Sequence, residues 1–99
     1  MNLVQFAAEV RAARAVLGWS QTELARRTAV TQRAIYRIEK GVVLPREKTK
    51  SNILKTFGDA GLRFELQANG GFKLTVPNKA IAKRHPAGRA KYPPRAGHY

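Results

Sequence analysis

The segment Ser20-Gln-Thr-Glu-Leu-Ala-Arg-Arg-Thr-Ala-Val-Thr-Gln-Arg-Ala-Ile-Tyr-Arg-Ile-Glu-Lys-Gly41 contains the start and stop signals of two short helices. Ser20 with Glu23 three positions later reads as a capping box. The hydroxyl serves a free backbone N–H of the first turn and the carboxylate returns to the cap residue. This predicts a helix over about 21–27. Thr31 is the next N-cap candidate, which predicts a helix over about 32–40 stopped by Gly41. Only Thr28, Ala29 and Val30 separate the two, the length of a helix-turn-helix connection.

The second of these helices divides cleanly into two faces. At about 100° per residue, with Gln32 at zero, Tyr36 lies near 40°, Lys40 near 80°, Arg33 near 100° and Arg37 near 140°. Ile35, Ile38 and Ala34 fall near 300°, 240° and 200° on the same wheel. Any amphipathic surface helix shows such a split. The content of the polar arc is more telling, because it holds Gln, Arg, Tyr, Arg and Lys and no acid. A glutamine amide can grip adenine N6 and N7, and an arginine can grip guanine O6 and N7, each through two hydrogen bonds. A helix built this way suits the DNA major groove.

Outward from this pair, the pattern continues on both sides. Val10, Ala13, Val16 and Leu17 recur at helical spacing and predict a first helix over 3–17, with Gly18 as its stop. Trp19, just before the Ser20 cap, reads as a packing residue at the mouth of the next helix and not as a base-stacking group. After Leu44-Pro45 a further helix is expected to begin between Arg46 and Thr49, with Ile53, Leu54 and Phe57 as its apolar stripe and Gly61 as its end. The period then changes to two. Leu62, Phe64 and Leu66 alternate with polar residues, as do Phe72, Leu74 and Val76, which predicts a β-hairpin with one apolar face. A two-residue Asn69-Gly70 turn would set Leu66 opposite Lys73 and mix the faces. A three-residue loop, Ala68-Asn69-Gly70, instead pairs Leu66 with Phe72 and Phe64 with Leu74, with Gly70 in the left-handed position.

The expected fold is therefore mainly α: a repressor-like helix-turn-helix domain of four to five helices over 1–61, a C-terminal β-hairpin over 62–76 and a disordered, Pro-rich basic tail over 77–99. The tail carries Lys79, Lys83, Arg84, Arg89, Lys91 and Arg95 with no acid and no periodicity, a composition unable to bury a core but able to condense on phosphate. Net charge over the 99 residues is +13. Solubility alone is served by a magnitude of roughly 2–8 in a small domain, so a polyanionic partner is the natural reading. There is no cysteine, which removes disulfides and thiolate metal sites. No apolar run approaches the ~20 residues of a membrane span. The first residues lack a basic n-region and carry Glu9, unlike a signal peptide. A cytoplasmic location is expected, in a bacterium or in a phage or mobile element.

The spacing of these residues resembles the helix-turn-helix domain of the phage Cro/repressor type, the XRE family. Arg14, Gly18, Ser20-Gln21-x-Glu23-Leu24-Ala25, Val30-Thr31, Ile35-x-x-Ile38-Glu39-x-Gly41 and Pro45 carry the resemblance, which covers residues 10–61. It implies that Gln32, Arg33 and Arg37 meet base edges, and Tyr36 shares their arc. It implies that Gln21, Thr31, Lys40 and Arg46 approach the phosphate backbone. It also implies an ion pair between Arg14 and Glu39. Two positions depart from the family pattern: Ala29 stands where the turn usually has glycine, and Lys50 where the following helix is often apolar.

Catalysis is not expected. Both histidines, His85 and His98, lie in the tail, the six acids show no paired arrangement, and no Gly-rich phosphate loop precedes a helix. No cofactor or metal is implied. The expected function is a sequence-specific DNA-binding transcriptional regulator, a dimeric repressor on an inverted-repeat operator, with Phe64, Leu66, Phe72 and Leu74 as the dimerisation surface. The alternative is an antitoxin resembling the HipB type, which binds a toxin protein as well as its own promoter. A third and weaker option, suggested by charge alone, is a sequence-neutral architectural DNA binder.

Overall fold

The computed structural model describes residues 2–80. Four helices come first: α1 (Leu3–Leu17), α2 (Gln21–Thr28), α3 (Gln32–Glu39) and α4 (Glu47–Asp59). A two-stranded antiparallel hairpin follows, β1 (Arg63–Leu66) and β2 (Phe72–Thr75), and residues 78–80 are again helical.

Each helix begins and ends for a local reason. Asn2 caps α1 by accepting from the Gln5 N–H at 2.7 Å, and Gly18 ends it in the left-handed region at φ 72°. Ser20 Oγ accepts from the Glu23 N–H at 2.9 Å, and Thr31 Oγ1 accepts from the Ala34 N–H at 3.1 Å. The returning half of the expected capping box is replaced: the Glu23 carboxylate is held by Arg26 at 2.6 Å and Arg27 at 2.7 Å instead. Two guanidinium groups one turn away attract it more strongly than a single backbone N–H. They hold its carboxyl below its ordinary range, the Arg26 hydrogen bond contributing most. Ala29 takes the turn position at φ 57°, the left-handed conformation that glycine would adopt without strain. Val30 N–H bonding to the Ala25 carbonyl at 3.1 Å closes the turn around it.

The core gathers Phe6, Val10, Ala13 and Leu17 of α1, Leu24 and Ala25 of α2, Ile35 and Ile38 of α3, and Ile53 and Phe57 of α4. The expected apolar stripes thus all point inward. Trp19 packs against Phe57, ring centroids 6.0 Å apart, under the Arg27 guanidinium at 4.2 Å. Asn52 of α4 donates to the Thr28 carbonyl at 2.7 Å and ties α4 to the end of α2. Lys50 is tolerated in α4 because its stem is largely buried while its ammonium lies 3.4 Å from Glu47.

The hairpin adopts the expected register, Leu66 opposite Phe72 and Phe64 opposite Leu74. Gly70 sits at φ 91° and donates to the Gln67 carbonyl, giving the three-residue loop. The apolar face is only partly free. Phe64, Leu74 and Val76 pack on the core, Phe64 lies edge-on to Phe57, and Gln5 of α1 donates to the Gly70 carbonyl at 2.8 Å. Leu66 stays 58% exposed. Beyond the hairpin the folded part extends past the boundary expected at Val76. Ala80 is buried in the core and Pro77 closes against Gly61, where an added Cβ would come within 3.0 Å of its ring. The remainder of the expected tail, residues 81–99, lies outside the described residues.

Glu9 is the anomaly of the core. It is 1% exposed, and both carboxylate oxygens are buried without a hydrogen-bond partner among the described residues. Burial pushes its carboxyl up, with the charge of Lys50 pulling the other way. The native state therefore binds this proton more tightly than the unfolded chain, so the carboxylate costs stability as pH rises. Glu9→Leu is expected to raise unfolding stability by ~1–3 kcal/mol at pH 7. The gain should shrink as pH falls through the raised native value and largely vanish below about pH 4.5, where the unfolded carboxyl is protonated too. Thermal unfolding of both proteins across this range checks it, and a variant less stable than the parent at pH 7 would refute the assignment.

Candidate nucleic-acid interface

The polar face of α3 survives folding as an exposed surface. Gln32, Arg33, Tyr36, Arg37 and Lys40 are exposed, and with Val42 they line one shallow depression. Ile35 and Ile38 are buried on the opposite side. The helix is short, but both ends are fixed. Thr31 caps its start, while its end turns at Lys40 and Gly41, whose N–H groups bond back to the Tyr36 and Ile38 carbonyls. Gly41, at φ 73°, then sends the chain back so that Val42 joins the rim of the depression. Sequence reasoning missed Val42, although an apolar residue just after a helix-ending glycine is a recognisable signal for such a return.

Charge on this face is of one sign. Glu39 is the only acid of α3, and it is buried at 5% exposure against Arg14 of α1. Arg14 Nε donates to Glu39 Oε2 at 2.7 Å and Nη2 to Oε1 at 2.9 Å, a two-pronged ion pair. The carboxylate hydrogen bond raises the Arg14 pKa above its ordinary value, against the effect of burial. Arg14 also donates to the Trp19 carbonyl at 3.1 Å, and Arg11 donates to the Glu39 main-chain carbonyl at 2.6 Å. The pair implied by the resemblance thus locks α1 onto the end of α3 and leaves Arg33, Arg37 and Lys40 without an opposing acid on their helix.

The expected phosphate-contacting residues stand in different relations to this face. Gln21, at the start of α2, is joined to it directly, its Oε1 accepting from Gln32 Nε2 at 2.7 Å. Thr31 is exposed beside Gln32, with its hydroxyl already accepting from a backbone N–H. Lys40 reaches back to the Tyr36 hydroxyl at 3.3 Å and lies 5.3 Å from that ring's centre, which steers the tyrosine. Arg46 stands apart at the N-cap of α4, exposed and making no capping bond with its side chain. The hairpin residues Phe64, Leu66, Phe72 and Leu74 are not among those lining the depression.

A family model described as a helix-turn-helix domain matches residues 5–58, more than half of the chain. The chain belongs to the helix-turn-helix family. The match spans α1 to nearly the end of α4 and agrees with the XRE type, so this helix-turn-helix protein is a DNA-binding regulator. No curated protein matches it significantly. Among the described residues, no helix is long and apolar enough to cross a membrane, and no group of acids and histidines is placed to hold a metal ion.

Proposed function

We propose that this helix-turn-helix protein is a sequence-specific transcriptional repressor that binds an inverted-repeat operator as a dimer, with α3 in the major groove. The observation that supports this reading is the exposed face of α3, free of acids, on which Gln32, Arg33, Tyr36 and Arg37 stand together; in this reading they are the base-reading groups. Gln21, Thr31, Lys40 and Arg46 are the phosphate-contacting groups that set its register. Selection from a duplex library with a randomised core tests the reading. A defined consensus with two half-sites about 10 bp apart, or a multiple, is expected, and enrichment without any consensus would refute it. Gln21→Ala should weaken the selected and scrambled duplexes about equally, because a phosphate contact carries no base information.

Dimerisation rests on the hairpin. Two strands alone are marginal in water, and this pair keeps Leu66 exposed at its end while Phe64, Phe72 and Leu74 are only half covered. A second copy completing that surface also supplies the second half-site that genomic selectivity needs. Sedimentation at micromolar concentration should show a dimer that Leu66→Lys weakens. A monomer both free and on the selected duplex would remove this part. The same hairpin is the feature that favours the antitoxin alternative, in which a toxin protein docks beside it. Co-purification with the product of a co-transcribed neighbouring gene separates that case from a stand-alone repressor.

A further inference from the structure

The end of α3 brings an apolar side chain from outside the helix onto its exposed polar face. Gly41 N–H donates to the Ile38 carbonyl at 3.0 Å and Val42 N–H to the Arg37 carbonyl at 3.4 Å, with Gly41 at φ 73°. Such a double closure folds the residue after the glycine back over the last turn, where an apolar side chain commonly packs. Here the returning residue is Val42, and together with Tyr36 it lines the depression on this face. That packing does not use either of them up, since Val42 remains 59% exposed and Tyr36 46%. Lys40 engages the Tyr36 hydroxyl at 3.3 Å, so what the tyrosine has left to offer is chiefly its ring. Gln32, Arg33, Arg37 and Lys40 complete the lining. The result is an apolar spot framed by cations and an amide.

We propose that Val42 and Tyr36 form a seat for the 5-methyl group of a pyrimidine, which makes operator binding sensitive to that methyl whether thymine or 5-methylcytosine carries it. This rests on the reading of α3 as the major-groove helix. The cationic frame suits a polyanion, and the apolar spot suits a hydrocarbon group carried on it. In the major groove that group is the methyl on pyrimidine C5, because the other features that distinguish base pairs there are hydrogen-bond donors and acceptors. Deoxyribose is the other apolar part of DNA. The spot, however, shares its depression with Gln32, Arg33 and Arg37, whose amide and guanidinium groups match base edges, and this continuity favours the methyl. Thymine and 5-methylcytosine carry the methyl on the same carbon and differ at C4, where one accepts and the other donates. A seat that touches only the methyl takes both. Burying one such group is worth about fourfold in affinity per half-site.

Synthetic operators test this with the parent protein itself. In the duplex selected from the randomised library, each thymine is replaced in turn by deoxyuridine and each cytosine by 5-methylcytosine. Each change removes or adds one methyl and leaves base pairing intact. At one position in each half-site, losing the methyl should weaken binding about fourfold, or gaining it at a cytosine should strengthen binding equally. Val42→Ala should weaken binding to the methyl-bearing duplex and abolish the distinction at that position, because side chain and methyl then act as one coupled pair. Preferences that depend on Arg33 and Arg37 should persist in Val42→Ala. If no methyl in the operator changes binding, the seat is overturned; Val42→Ala weakening all duplexes alike would then assign Val42 to the sugar-phosphate backbone. A methyl effect that persists undiminished in both Val42→Ala and Tyr36→Ala also overturns it. In each of these cases the selected consensus survives, and the reading of α3 with it. Selection without any consensus would instead refute that reading, and this inference falls with it.

Discussion

Replacing Arg33 and Arg37 together by alanine is expected to weaken binding to the selected site by about 2–6 kcal/mol per half-site, at ~1–3 kcal/mol for each guanine no longer gripped. The two arginines are exposed on the acid-free arc of α3, and neither takes part in an ion pair among the described residues. Their removal therefore costs the fold little. The specific complex should approach the affinity of a scrambled duplex, because specific binding exceeds non-specific binding by only ~4–10 kcal/mol to begin with. Each single variant should relax preference at its own base pairs and leave the others intact. Titration of both duplexes at fixed salt measures this, since the phosphate contribution varies steeply with ionic strength. Equal binding of the parent and the double variant to the selected duplex would exclude α3 as the reading helix.

The second large effect is on stability. Arg14→Met should destabilise the domain by roughly 2–4 kcal/mol, somewhat less than the ~3–5 kcal/mol for breaking a fully buried pair, because Arg14 is 24% exposed. The loss would come less from the missing attraction than from what stays behind, a Glu39 carboxylate at 4% side-chain exposure with only the Gln21 amide near it. A drop in Tm of roughly 10–20 °C follows for a domain of this size. Adding Glu39→Gln to Arg14→Met should restore part of the loss, since the uncompensated charge is gone. Circular dichroism melts of the parent, both single variants and the double variant close the cycle. A loss below about 0.5 kcal/mol in Arg14→Met would place the pair with solvated surface bridges.

Much of this architecture could be read from single residues acting locally. Gly18, Ser20, Thr31 and Gly41 mark helix ends because a cap or a left-handed turn depends on the residue itself and its immediate neighbours. The hairpin register was readable for the same kind of reason: side chains alternate with period two, so a two-residue turn would split Phe64, Leu66, Phe72 and Leu74 between faces, and a three-residue loop with Gly70 in the left-handed position keeps them on one. The polar arc of α3 follows from helical geometry alone. Other features depend on a choice between competing local partners or on groups brought together from distant parts of the chain. Glu23 had two nearby arginines as well as the cap to choose from, and only the packed side-chain directions decided for Arg26 and Arg27. Glu9 is of a residue type seldom fully buried, yet the packing around α1 closes over it. Ala80 sits in a segment whose composition points to disorder, yet it is buried because Pro77 finds the space that Gly61 leaves open. Local sequence thus determined where the helices start and stop and which face α3 presents, since those follow from short-range hydrogen bonding and side-chain period. The tertiary structure alone decided how Glu39, Gln21 and Gln32 line up, because a hydrogen-bond chain joining three helices exists only once those helices are packed.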